Sequence, residues 1–228
     1  MRSLISYLYI RKIAPVVFIF TVACTVQLFF LSLLPDELSK NESPDFTVFY
    51  SVIADRLESG EDFTSSFYFK GNGNNAVPSD KTGTFVTRWP PGHPIIIASI
   101  YGLADHLGIN RDNLVTITFL LLYSFASCLI YKIASLFFEG YTPLLSGIIW
   151  ATYPFNLWLT KQPNSEIPFF VFFFLSLFFF FQIRSERNNL YLILFSISAA
   201  ITIFIRSAAF YLPLICLLVT LFSLRSNK

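Results

Sequence analysis

The sequence predicts an all-α integral membrane protein with about six transmembrane helices and one long outer loop after the first. Three observations predict it. The 228 residues are 54% hydrophobic and only 13% charged, where a soluble domain averages about 25% charged. Mean hydropathy is +0.61. Uncharged runs of bilayer-spanning length recur along the chain. A net charge of +2 marks no special electrostatic partner and argues against nucleic acid. Cys24, Cys128 and Cys216 each fall inside an apolar run. They have neither disulfide-framework nor metal-ligand spacing, so they read as small buried hydrophobes.

The elements follow in order as one membrane domain, 1–228. Arg2, Arg11 and Lys12 precede an uncharged run over 13–34, the first span. The rival is a signal peptide, but the run exceeds the usual apolar core and lacks a clean cleavage site. Residues 35–112 form the outer loop. Its first element is an amphipathic helix near 45–59. There Phe46, Phe49, Tyr50, Ile53, Ala54 and Leu57 make one apolar stripe. Such a helix is too polar to span and suits the interface plane. Residues 60–87, rich in Gly, Asn, Ser, Thr and Asp, read as turn or loop. Pro90-Pro91-Gly92-His93-Pro94 then opens a second juxtamembrane helix over 94–107, with a short tilted span as the alternative. Five spans follow, at 114–131, 142–159 (kinked at Pro154), 167–183, 190–205 and 208–224.

Six spans put both termini on one side. With the N-terminus cytoplasmic, Arg2, Arg11, Lys12, Lys132, Arg184, Arg187, Arg225 and Lys228 face inward. Near-membrane basic residues on the other side are Lys40, Arg111, Lys161 and Arg206. That asymmetry favours both termini inside. The long loop, Glu166 and Arg206 then share the outer face.

Several landmarks line up along the chain. After the first span, Pro44-Asp45 opens the amphipathic helix through Tyr50, Ala54, Leu57 and Gly60. Pro90-Pro91-Gly92-His93-Pro94 opens the next helix. Asn164-Ser165-Glu166 precedes a span, and Arg206-Ser207 joins two more. This order resembles the multi-spanning glycosyltransferases of the GT-C fold, in particular the protein mannosyltransferase and lipid A aminoarabinose transferase group. His93 stands where that pattern more often has Tyr or Leu. The chain also stops after about six spans, half the number of such proteins, which reads as an N-terminal half or truncated member.

The resemblance implies transfer of a hexose or pentose from a polyprenyl-phosphate donor to a hydroxyl on a glycan, lipid or protein acceptor. That reaction needs a base beside the hydroxyl and cationic or metal groups for the departing phosphate. Asp45 matches the first-loop acid and is the expected base; helix-start electrostatics is its ordinary alternative. Glu166 is the expected second acid, orienting the acceptor or helping to bind a metal. The cofactor stays unknown. A divalent cation requires the fold to bring Asp45 and Glu166 together. Arg88, His93, Lys161 and Arg206 are the candidates for the lipid phosphate. Arg206 stands out because membrane-edge charges are expensive and often functional; snorkelling to head groups is its alternative. Asp55 and Glu58 read as solvated, and Trp89, Trp150 and Trp158 as interfacial.

Two other functions remain open at this level. One is a non-catalytic fragment that binds a lipid or a partner. The other is a transporter-like module, which the position of the acids at span ends, rather than in broken span centres, argues against. The expected location is a bacterial inner membrane with a periplasmic active face; an endoplasmic-reticulum membrane with a lumenal site is physically equivalent.

Overall fold

The computed structural model describes residues 2–34, 45–65, 67–69, 76–78, 84–85, 90–161, 163–186 and 188–226. Helices build the whole bundle. α1 spans Arg2–Leu33. A π-helical segment, Asp45–Tyr50, runs directly into α2, Ser51–Glu58. α3 is Gly92–Leu107 and α4 is Arg111–Ala134. α5, Thr142–Thr152, and α6, Pro154–Lys161, follow. α7 is Glu166–Glu186, α8 is Asn189–Ile205, and α9 is Leu212–Ser226 after a 3-10 turn at Ser207–Ala209. By length and composition, Ile13–Leu33, Arg111–Ala134 and Glu166–Ile183 are able to cross a membrane. Thr142–Thr152, Asn189–Ile205 and Ser207–Leu221 are shorter apolar helices.

The helix ends have local causes. Gly108 takes a left-handed φ of 65° and ends α3, a conformation cheap only without a Cβ. Two residues on, the Asn110 side chain accepts a hydrogen bond from the Asn113 amide and caps α4. The single kinked span read over 142–159 is instead two helices. Tyr153 is extended (φ −67°, ψ 121°), as the residue before a proline prefers, and Pro154 starts α6. In the long loop after α1, the stretch read as turn or loop holds two short antiparallel ladders. β1 (Thr64–Ser65) pairs with β4 (Thr84–Phe85), and β2 (Phe67–Phe69) pairs with β3 (Ala76–Pro78) inside it. Strands of two or three residues are too short to show an alternating pattern.

Packing orders the bundle from α4 outward. Phe119 and Tyr123 share one core with Ile167, while Ala126 and Leu129 share another with Val171 and Phe174. α4 and α7 therefore run in the same direction. Lipid is as apolar as leucine, so helices in a membrane associate by close packing and polar contacts. Both occur here. Gly147 lets α5 approach α1 and α4 so closely that a Cβ would sit 2.8 Å from Ile19 and 3.2 Å from Tyr131. Gln27 of α1 is fully buried and donates to Ser124 Oγ of α4 at 3.0 Å. The Phe-rich α7 packs its rings internally. Phe170 and Phe174 meet the Trp150 ring edge-on at 5.3 and 5.1 Å. Trp150 is thus partly buried and packs against two core clusters.

The loop helices cap one end of this bundle. Phe46, Tyr50, Ile53 and Ala54 are all buried, and Phe46, Tyr50 and Ala54 join Ile97, Tyr101 and Phe119 in the largest core cluster. Burying side chains of this size contributes about 1.5–3 kcal/mol each where the alternative is water. That gain holds the amphipathic helix to α3 and α4.

Candidate active site at the loop end of the bundle

Three of the sequence-selected residues come together here, and each is placed by a helix end. Glu166 opens α7. Arg206 follows α8, in an extended conformation (φ −144°, ψ 124°) that ends that helix. Their side chains form an ion pair, Arg206 Nη1 to Glu166 Oε1, although they are 40 residues apart. The guanidinium also lies over the Phe169 ring, 5.9 Å from its centre. The pair is half-buried, with side chains 37% and 29% exposed. Glu166 Oε2 is buried and has no hydrogen-bond partner among the described residues.

His93 completes the group. It is fully buried in the first turn of α3. Its Nε2 lies 2.8 Å from the carbonyl oxygen of Pro163. A carbonyl only accepts, so Nε2 carries the proton and Nδ1 holds a free lone pair. Nδ1 is buried and unpartnered among the described residues. α3 lies outside the membrane-length helices. Burial, reinforced by the nearby Arg206 charge and opposed by the Pro163 hydrogen bond, pushes the imidazole pKa down to about 3. His93 is therefore neutral. Its ring meets Tyr50 edge-on at 4.4 Å and Phe119 at 6.0 Å. It joins the helix that begins at Asp45 to the loop that delivers Glu166.

The close approach depends on Gly92. A Cβ there would fall 2.6 Å from the Phe204 oxygen and 2.9 Å from the Ile205 nitrogen. The first turn of α3 thus rests on the backbone just before Arg206. Gly92 carries no chemistry and was invisible as a site residue in the sequence, except as the small member of Pro90-Pro91-Gly92.

The other selected residues fall differently. Asp45 is the first residue of the π-helical segment, five positions before Tyr50; its side chain lies outside the described structure. π-helical turns are rare and concentrate at functional sites. Lys161 ends α6 and sits 4.9 Å from the Trp158 ring, with no ion pair to Glu166. Arg88 lies outside the described residues. Among the described residues no group of three or more His, Cys, Asp or Glu is placed to hold a metal.

A second charged cluster was not anticipated. Arg111, at the start of α4, pairs with Asp55 at 2.7 Å, with Glu58 at 3.3 Å and with Asp105. It also stacks 5.0 Å from the centre of the Tyr101 ring. Asp55 and Glu58 are thus ion-paired rather than merely solvated. Burial raises the Asp55 pKa, against the pull of Arg111. The Arg111 hydrogen bond holds the Asp105 carboxyl below its usual value. The sequence signal was present: Asp55 and Glu58 stand three apart on one helix face.

Residues 90–228 match the model of the family described as dolichyl-phosphate-mannose-protein mannosyltransferase. The match covers more than half of the chain and includes His93, Lys161, Glu166 and Arg206. It defines the class: an integral membrane glycosyltransferase of the GT-C type, served by a lipid-linked sugar donor. The chain belongs to the dolichyl-phosphate-mannose-protein mannosyltransferase family. No curated protein and no solved structure matches it.

Proposed function

We infer that the protein transfers a hexose or pentose from a polyprenyl-phosphate donor to a hydroxyl of a glycan, lipid or protein acceptor. The transfer takes place at the bundle end that carries Glu166 and Arg206. The observation that supports this most is the Glu166–Arg206 pair beside buried His93, under the helix that starts at Asp45. In this reading Asp45 takes the proton from the acceptor hydroxyl. The oxygen attacks the anomeric carbon, and the bond from that carbon to the phosphate oxygen breaks. The leaving polyprenyl phosphate gains negative charge, which Arg206 stabilises. Glu166 holds the guanidinium in place before the donor arrives, and its free oxygen accepts a hydrogen bond from a sugar or acceptor hydroxyl. Lys161, and Arg88 by its place in the sequence, are further candidates to meet the donor phosphate. His93 keeps the Pro163 loop in register. The excess of Lys and Arg at the opposite helix ends supports a non-cytoplasmic active face, periplasmic in a bacterial inner membrane or lumenal in an endoplasmic-reticulum membrane.

A positioned general base contributes roughly 10²–10⁴ in rate. Asp45→Asn is therefore expected to lower transfer from a radiolabelled polyprenyl-phosphate sugar by about that factor, while the protein still inserts and accumulates. Undiminished transfer in Asp45→Asn sinks the assignment of the base. Mass spectrometry of the purified protein, searching for co-purified polyprenyl phosphate, tests the donor class separately.

A further inference from the structure

A cavity of about 580 Å³ opens between the C-terminal halves of α4 and α7. It lies at the end of the bundle opposite the Glu166–Arg206 pair. Its volume is in the range of small-molecule sites, about 300–1,000 Å³. Its lining is graded along the helix axes. Leu129, Leu175 and Phe178 wall the part nearer the middle of the bundle, and Lys132, Ser135 and Gln182 line the part nearer the helix ends.

The polar groups at that end are unspent. Lys132 has no ion pair among the described residues, and its ammonium lies 5.8 Å from the Tyr131 ring centre. Ser135 donates its hydroxyl proton to the Lys132 carbonyl at 2.7 Å, which leaves the hydroxyl oxygen free to accept. The Gln182 side chain makes no hydrogen bond among the described residues. Arg184 follows two positions later on α7. A single ammonium beside an apolar slot, at the depth where the helices end, complements one kind of molecule in a bilayer. It matches an acyl chain joined to an anionic head group.

We propose that the α4–α7 cavity is a binding site for an anionic glycerophospholipid of the leaflet opposite the Glu166–Arg206 pair. One acyl chain lies against Leu129, Leu175 and Phe178, and the phosphodiester is held by Lys132 with Gln182. The donor's own polyprenyl phosphate is not the occupant. Gln182 lies 16 residues beyond Glu166 along α7, about 24 Å at the α-helical rise. A phosphate at Lys132 is therefore out of reach of Arg206. The site is independent of the reaction assigned to the other end.

The test uses the full chain, purified in detergent and titrated with phosphatidylglycerol or phosphatidylcholine, with bound lipid read by native mass spectrometry. The wild type is expected to retain one phosphatidylglycerol in preference to phosphatidylcholine. Lys132→Ala is expected to lower that preference about fivefold, the equivalent of one basic residue at an anionic surface. Lys132→Arg is expected to keep it, which separates loss of charge from loss of fold. Equal retention of the two lipids by the wild type overturns the proposal. So does an unchanged preference in Lys132→Ala, or a polyprenyl phosphate whose retention depends on Lys132.

Discussion

Gly92→Ala tests whether the site is assembled by backbone contact between α3 and the end of α8. The new Cβ would meet the Phe204 oxygen at 2.6 Å, the Phe204 carbonyl carbon at 2.7 Å and the Ile205 nitrogen at 2.9 Å. All three are backbone atoms, so no side chain is able to swing away. Ordinary contact begins near 3.4 Å, which requires α3 and the α8 end to part by about 0.8 Å. Overpacking of this kind costs about 1–3 kcal/mol, and backbone partners place it toward the upper value. For a chain of 150–250 residues that lowers Tm by up to about 6–12 °C.

The separation also moves His93 and Arg206, the neighbours of Gly92 and Ile205, apart. A misplacement near 1 Å in a positioned site costs about 10² in rate, so transfer is expected to fall by about that factor. The control lies on the same helix. A Cβ at Gly102 would find only the Glu58 Cγ, at 3.9 Å. Gly102→Ala should therefore stabilise by about 0.5–1 kcal/mol, the usual gain in a helix interior. The assays are thermal unfolding in detergent and initial rates of sugar transfer. A Gly92→Ala protein with wild-type Tm and rate, or one that shifts in the same direction as Gly102→Ala, refutes the reasoning.

His93 carries a pH prediction. Its folded pKa is about 3, below the ordinary 6.5, so the folded state binds fewer protons than the unfolded chain. Its neutral form therefore contributes full stability above about pH 6.5. That contribution is lost as pH falls from there toward 3, at up to about 1.4 kcal/mol per pH unit. Thermal unfolding of the wild type from pH 7.5 to 4.5 should steepen below 6.5, and His93→Gln, which keeps a donor for Pro163, should show a flatter curve; parallel curves contradict it. Arg111→Ala should loosen α2 from α3 and α4, because Asp55, Glu58 and Asp105 lose their common partner. Hydrogen exchange over 51–58 should rise, with a smaller difference at high salt because these groups are partly exposed; an unchanged exchange rate in the variant removes Arg111 as the clamp.

The membrane fold was legible because its signal is one-dimensional. Long uncharged runs and sparse charge suffice to recognise an all-α membrane protein. Other features were legible only in part, for physical reasons. Pro154 signals a bend, but the full break at Tyr153 depends on a backbone choice that one proline merely biases. The ladders at β1–β4 and β2–β3 are set by pairing across the loop. Glu166 and Arg206 each show up singly, as charges at helix ends. Their pairing across 40 residues is a tertiary fact that no local pattern encodes. Gly92 carries no chemistry to attract notice, and the role of Arg111 appears only once three carboxylates surround it.

The two charged clusters act on the loop helix in complementary ways. The segment from Asp45 to Glu58 is one continuous rod, π-helical and then α-helical. Its far end is held by Arg111 through Asp55 and Glu58, and its first part rests through Tyr50 on His93. His93 in turn holds Pro163, three residues before Glu166. In the proposed reaction, a displacement of Glu166 or Arg206 by the donor phosphate would be passed through a buried, neutral imidazole to the helix that begins at Asp45. Arg111 fastens that helix at a point outside the site. An acid on a free loop would have to be ordered for each turnover. In the proposed reaction, an acid at position 45, carried on a rod held at two places, would meet the acceptor with much of that entropy already spent.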